Sequence, residues 1–508
     1  MRTNRSFACT SLFALSSMAL VACGGSSPST GQPTDGSAGD DADDAANVAD
    51  VATETATEAG SETASATYPA FKIDAPQIVT ANGPLLKAAK IVPITWATDP
   101  DAAKYVDFVQ KLGASSYWST AVGEYGIGPT TSAATDHIVL TSTQRVFSDA
   151  DIDAYVSAQL SDLATSKWPA PTAGSLYVLF MPPGMELQLG GGGTTSDAGV
   201  AESGTDAGVA DASTTDAGDT TMTDPNSACV QGVGGYHSAT VLADNTTIVS
   251  YAVLPHCPFG DATLTDFDFI TAAASHEIAE ASTDPIPSDP TATSQAAVAD
   301  KAAYNNYDTL HYAWSSWQAR AVENGDDCEF YGDSFVKDGG FGYAVQRLWS
   351  NASAAAGHSP CLPIFDTSMP YYNVVPLTVG TTTVNVRTPG TTTSTPTTVE
   401  GINIKVGTSA TFNVGYYSDG PMDAWSLQAI EGGSSQALAI LNPQPGDPTP
   451  TYYTTLTVDH PTGQNGDQAT IHVTVNTAPP RNRVLITLVS ADSAGKHHHY
   501  WPVLVTTN

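Results

Sequence analysis

From Ala89 onward the chain alternates between short apolar runs and stretches whose apolar residues recur every three or four positions. "AKIVPITWAT" predicts a buried strand ending at Trp96. A continuous apolar run of that length suits a strand covered on both faces. "DPDAAKYVDFVQKLGASSYWSTAVGEYGIG" predicts one helix capped near Asp99, with Tyr105, Phe108, Val109 and Leu112 on a single face. "DHIVLTS" reads as a strand, "SDADIDAYVSAQLSDLATSKW" as a helix and "GSLYVLFMPPG" as a strand. "YHSATVLADNTTIVSYAVLPHC" gives two strands turning at Asp244-Asn245. Strand and helix in alternation predict an α/β domain over residues 70–365.

Beyond about residue 372 the period changes. "PLTVGTTTVNVRT", "GINIKVGTSATFNVGYY", "TYYTTLTVDH", "QATIHVTVNT", "NRVLITLVSA" and "YWPVLVTT" alternate apolar and polar positions between turn residues. Two-residue alternation without helical spacing predicts an all-β sandwich over 372–508. Nothing in it reads as catalytic. His497, His498 and His499 form a triplet that reads as a solvated turn before the last strand.

The N-terminal pattern is of another kind. Arg2 and Arg5 precede a mostly apolar or small stretch from Phe7 to Val21, too short for a comfortable membrane span and suited to a secretory signal over 1–22. Leu20-Val21-Ala22-Cys23 matches a bacterial lipobox, which makes Cys23 the lipidated first residue of the mature chain. Gly24, in place of an aspartate that would retain the protein at an inner membrane, directs it to the outer membrane or cell surface. Residues 23–69 are Ser, Thr, Gly, Ala and Asp with few large side chains, and so predict a disordered tether. A similar stretch at about 190–228 carries [ST]DAG units around Asp197, Asp206 and Asp216. It lacks the glycine-turn spacing of calcium repeats and predicts a disordered insertion.

Asp and Glu number 52 against 18 Lys and Arg, a net charge of −34. Such a balance excludes nucleic acid as a partner, because phosphate contacts need basic side chains. Of six cysteines, Cys9 falls in the signal and Cys23 at the lipid site, leaving four. An even number in an exported chain predicts two disulfides. Sequence order favours Cys229–Cys257 and Cys328–Cys361 among three pairings. No C-x-x-C pair supports a zinc cluster instead.

The chemistry concentrates in "TAAASHEIAEASTDP". On a helix of about 100° per residue, Glu280 lies about 40° from His276, while Phe267, Ile270, Ala274, Ile278 and Ala281 form the opposite, apolar face. Asp284-Pro285 ends the helix, since proline disfavours a helical residue before it. This resembles the H-E-x-x-H helix of zinc peptidases, where two ligands one turn apart hold the metal and the glutamate between them is the general base. Here the second histidine is Glu280, giving H-E-x-x-E. A carboxylate binds zinc but lowers the net positive charge of the centre. Further ligands are sought in "ENGDDC", where Glu323 and Asp326 stand beside Cys328. His237, His256 and Glu124 are weaker candidates, each with a strand-end, surface or turn role as its plain alternative.

"VPITW", "SSYW", "EYGIG", "YAVLPHC", "SHEIAEASTDP", "ENGDDC" and "VQRLWSNASAAAGHSPC", in this order, resemble a family of exported bacterial proteins. They are also distantly similar to the plant EXORDIUM or phosphate-induced secreted proteins. The resemblance spans about 90–362 apart from the insertion and stops short of the sandwich. It implies secretion and a zincin-like helix, with an α+β zincin-like arrangement as a variant of the α/β domain. By matching position it carries His276, Glu277, Glu280, Glu323 and Asp326 into the site.

Two functions follow. The first is a metal-dependent, peptidase-like hydrolase: a divalent metal, zinc by preference, on His276 and Glu280, completed by Glu323 or Asp326, with Glu277 as base and a protein or peptide as substrate. The second is a non-catalytic cell-surface binding protein on the same scaffold. A purely structural lipoprotein, with the polar groups forming a network that holds no ion, is the third alternative.

Overall fold

The computed structural model describes residues 65–189, 224–259, 263–287, 303–318, 322–387, 394–441 and 451–507. The signal segment, Cys23, most of the expected tether and the bulk of the expected insertion lie outside these residues. The fold mixes helix and strand and is rich in β-sheet. Its described residues belong to one unit that runs from Ser61 to Asn508.

The first sheet contains β1 (Lys90–Trp96), β2 (Ile138–Leu140), β3 (Ser175–Phe180), β4 (Tyr236–Val241) and β5 (Ile248–Leu254), in the order β2-β1-β3-β5-β4. Four strands are parallel and β4 is an antiparallel edge. Alternate residues of the central strands enter two cores. Ile91, Leu176, Val178, Phe180 and Leu254 face one core, and Val92, Ile94, Tyr177, Leu179 and Val253 the other. Both faces are thus covered, which is why these strands read as continuous apolar runs.

Helices α1 (Ala102–Leu112) and α2 (Ser116–Val122) replace the single helix expected there. The break is at Gly113, where a Cβ would stand 2.1 Å from the Thr130 carbonyl oxygen, so only glycine admits that strand-side approach. Ser115 then caps α2 by accepting the Trp118 N–H at 3.1 Å. Helix α3 (Asp149–Ser161) begins with a capping box between Ser148 and Asp151 and lays Ile152, Val156 and Leu160 on the second core.

Helix α4 (Asp266–Thr283) carries the H-E-x-x-E sequence. It starts at a second capping box, Thr265 with Asp268, and stops at Asp284 before Pro285. It is buried on every side from Asp268 to Thr283, so its polar face is not a solvent face. Two features make that burial affordable. Ala272, Ala273, Ala274, Ala279 and Ala281 allow close approach, and the hydroxyls of Thr271, Ser275, Ser282 and Thr283 bond back to helix carbonyls.

After α4 come α5 (Tyr312–Gln318), the short α6 (Asp326–Glu329) and the hairpin β6 (Phe335–Asp338) with β7 (Tyr343–Gln346), whose last residue bonds to Ser275 on α4. Both expected disulfides occur: Cys229–Cys257, and Cys328–Cys361, which anchors α6. The C-terminal strands form a four-stranded and a five-stranded sheet. Phe412, Val414, Ile471 and Val473 from one meet Leu427, Ile486, Leu488 and Val503 from the other in a shared core, as the alternation predicts. His498 and His499 open the last strand, and His499 is buried among the rings of Tyr331, Tyr371 and Tyr372 instead of lying in a solvated turn. Among the described residues, no helix is long and apolar enough to cross a membrane.

Candidate metal centre

Three parts of the chain bring ionisable groups to α4. The helix itself contributes His276, Glu277 and Glu280; β4 contributes His237; the loop ahead of α6 contributes Glu323, and the first residue of α6 is Asp326. All six are between 0% and 4% exposed. The one-turn spacing sets His276 Nε2 at 2.8 Å from Glu280 Oε2. On the other side, His237 Nδ1 is 3.4 Å from Glu277 Oε2 and 3.8 Å from Glu280 Oε2. His237 Nε2 is 3.5 Å from Glu323 Oε2. Asp326 Oδ1 is farther out, 4.0 Å from His276 Nε2, while its Oδ2 accepts the Glu323 N–H at 3.0 Å.

The sequence expectation that α4 and the acidic loop meet is thus matched in space. Two overlapping triads, His276-Glu277-Glu280 and His237-Glu280-Glu323, have ligand atoms close enough to share an ion, and Glu280 belongs to both. His237 is the residue that sequence reasoning ranked too low. The signal beside it was the Gly234-Gly235 pair: a Cβ on Gly235 would lie 2.9 Å from Glu277 Cγ, so the strand passes directly over the helix. His256 is instead at the far limit of an ion pair with Asp266, and Glu124 caps a distant helix by accepting the Ala352 N–H.

The surrounding bonds fix the orientation of these groups. Gln346 donates from Nε2 to the Gly325 carbonyl at 2.7 Å and turns its Oε1 to His276 Nδ1 at 3.0 Å. The Gly325 N–H donates to Glu280 Oε1 at 3.0 Å. A Cβ on Gly325 would stand 2.5 Å from His276 Nδ1, so a glycine is required where the loop meets the helix. Burial alone would raise the Glu280 pKa, but the two imidazoles and the Gly325 N–H hold it below the ordinary value. Burial pushes Glu277 up, and the neighbouring His237 and His276 imidazoles offset only part of that rise. Asp327 is raised well above the usual carboxylate range by burial, and Gln318 donates to it.

What can this arrangement do? A carboxylate oxygen and an imidazole nitrogen at 2.8 Å share a proton, and a metal ion can take that proton's place if the two atoms spread to roughly 3.3–3.6 Å. Imidazole and carboxylate donors together suit zinc among common divalent ions.

No family model matches the chain, and no curated protein matches it. Among solved structures it is similar to the SrpA adhesin of Streptococcus sanguinis, at 12% identity over 28% of this chain and 60% of that one, with a TM-score of 0.16. The chain therefore spans less than two thirds of the adhesin. It is also similar to the titin M3 domain, at 11% identity over 21% of this chain and 88% of that one, with a TM-score of 0.13. Scores this low carry no argument about the centre.

Proposed function

We propose that the chain is an exported, lipid-anchored, metal-dependent hydrolase, peptidase-like, acting from the bacterial cell envelope. The observation that carries this reading is the buried meeting of His276, Glu280 and Glu277 with ionisable groups from β4 and the "ENGDD" loop. A zincin-like α/β domain is supported by a parallel sheet whose antiparallel edge strand lies over the H-E-x-x-E helix. Export is supported by the lipobox pattern ending at Cys23 and by two disulfides, which persist in oxidising compartments.

A divalent ion, zinc by its donor set, would supply Lewis acidity to a polarised peptide carbonyl and to water. His276 and Glu280 hold it from one turn of the helix. Glu277, one residue along, is the general base that takes the proton from water. The second reading is a binding protein with a metal-stabilised, non-catalytic centre. Its support is the burial of all six groups, since closed metal sites are structural and open ones catalytic.

One experiment separates the readings. The purified chain is assayed for metal content and for cleavage of an unfolded protein, beside Glu277→Gln. Metal in both forms with cleavage in the wild type alone supports the hydrolase. Metal in both with cleavage in neither supports the binding protein. Absence of metal from both sinks the centre altogether.

A further inference from the structure

The H-E-x-x-E helix lacks the second imidazole of the zinc-peptidase pattern. We infer that His237, on the edge strand β4, restores it: the centre is a His276–His237–Glu280 donor set, and Glu323 orients His237 and does not bind the ion. This inference rests on the metal-centre reading above and deepens it.

The argument is one of protons. His237 Nε2 is 3.1 Å from the Asp284 carbonyl oxygen, which can only accept, so the ring carries its proton there. Glu323 Oε2, at 3.5 Å, is on the same side of the ring. That leaves Nδ1 as the ligand atom, aimed at Glu280 Oε2 and Glu277 Oε2. His276 is arranged in the opposite sense: Nδ1–H donates to Gln346 Oε1, leaving Nε2 aimed at Glu280 Oε2. Each imidazole donates outward to a fixed acceptor and presents its other nitrogen inward, as metal-bound histidines do.

Distances agree. Ligand atoms bound at about 2.0–2.2 Å to a tetrahedral ion stand roughly 3.3–3.6 Å apart. His276 Nε2 and His237 Nδ1 are 2.8 and 3.8 Å from the shared Glu280 Oε2, so an ion would move the first pair apart and draw the second together, each by a few tenths of an ångström. Glu323 faces His237 Nε2, the nitrogen turned away from Glu280, and so lies behind the ring and not on its ligand side. It therefore completes a carboxylate–imidazole–metal chain. The resulting donor set, two histidines and one glutamate, is one that catalytic zinc sites use, with the fourth position left for substrate. Glu277 remains the base. The specific consequence is that the exchange of histidine for Glu280 on the helix has not changed the number of imidazoles, only the element that supplies one of them.

The test uses the full chain, stripped by a chelator and reloaded with zinc or cobalt. His237→Ala is expected to lose zinc on dialysis, while Glu323→Gln still binds it about 10–100-fold more weakly, with the wild-type cobalt spectrum. His237→Cys decides the matter if His237→Ala fails to fold. A sulfur-to-cobalt charge-transfer band absent from wild type puts position 237 on the ion. The inference is overturned if folded His237→Ala or His237→Cys binds cobalt with unchanged affinity and spectrum, or if Glu323→Gln alone abolishes binding. A wild-type chain that takes up neither metal fails the centre itself, which is a different result.

Discussion

The Gly325 N–H and Glu280 Oε1 are joined by a 3.0 Å hydrogen bond across a gap in which a side chain at 325 has no room. The acidic loop is therefore held against α4 by backbone, and Glu280 is oriented by a group that cannot rotate away. Gly325→Ala places its methyl 2.5 Å from His276 Nδ1 and 2.6 Å from Glu280 Oε1. The expected cost is about 1–3 kcal/mol of stability, the usual price of overpacking, together with loss of bound metal. Denaturant unfolding and metal content measure both; a variant equal to wild type in each would show that the loop can retreat without consequence.

Gln346 ties the same parts from the other side. Its carbonyl oxygen accepts from His276, its amide donates to Gly325, and its own N–H is bonded to Ser275. Gln346→Leu keeps the volume and leaves a buried N–H and a buried C=O unmatched, at about 1–3 kcal/mol for each group. Zinc affinity is expected to fall about 10–100-fold, as it does when a histidine ligand loses its outer partner. Gln346→Glu, which keeps the acceptor for His276 but not the donor to Gly325, should recover most of the affinity. Equal affinity in Gln346→Leu and wild type would remove this residue from the centre.

Much of the centre was legible in the chain, and the reason is local geometry. His276 and Glu280 share a helix face because four residues make about one turn, and Pro285 marks where that helix stops. The disulfide pairs follow sequence order because each closes a short excursion. His237 was less legible because β4 is buried along nearly all its length, so alternation does not say which face its histidine takes. That it meets α4 depends on β4 being the edge next to β5, a relation between distant segments. The break at Gly113 has the same origin, since the Thr130 backbone that causes it lies well beyond the helix. His499 looked like part of a solvated run because its ring partners, Tyr331 and Tyr371, are far away in the chain.

A second histidine predicts how stability varies with pH. His311 Nδ1 faces the Asp308 carboxylate at 2.8 Å, and Nε2 faces the Asp74 carbonyl oxygen at 3.1 Å with Glu400 Oε2 at 3.9 Å. Both nitrogens meet acceptors, so the ring is an imidazolium. Burial alone would lower its pKa, but Asp308, Glu400 and Asp74 raise it above the ordinary value. Because the folded pKa is the higher one, the stabilisation is complete below about 6.5, the unfolded value, and is lost as pH rises through the folded value. Unfolding midpoints of wild type should therefore drop relative to His311→Gln on going from about pH 6 to about pH 9. Parallel profiles for the two proteins would assign the ring a pH-independent role.

The sandwich is expected to support the centre and not merely to follow it in the chain. Trp317 on α5 donates from Nε1 to Thr487 Oγ1 at 3.0 Å and packs on Tyr500 at 5.3 Å, both in the second sandwich sheet. Its other neighbour is Phe330 at 5.0 Å, the residue just after α6. The next residue of α5, Gln318, is bonded to Asp327 on α6 itself. Trp314 makes an edge-on contact with Trp501 at 5.6 Å. Aromatic rings of the last strand thus set the position of α5 and, through Trp317, of Phe330 after α6, on either side of the segment that carries Glu323 and Asp326. Trp317→Ala removes the α5 ring that docks on those rings and should cost about 3–5 kcal/mol, as large aromatic truncations in cores do. The distinguishing measurement is metal affinity under conditions where the variant is still folded. If this packing holds the acidic loop in place, zinc binds more weakly to Trp317→Ala, whereas Thr487→Val, which keeps the ring packing and removes the hydroxyl's bonds to Trp317 and to the Gly432 carbonyl, should shift affinity much less. A variant that is destabilised yet binds zinc as wild type does would separate the sandwich from the centre and leave it a covering layer alone.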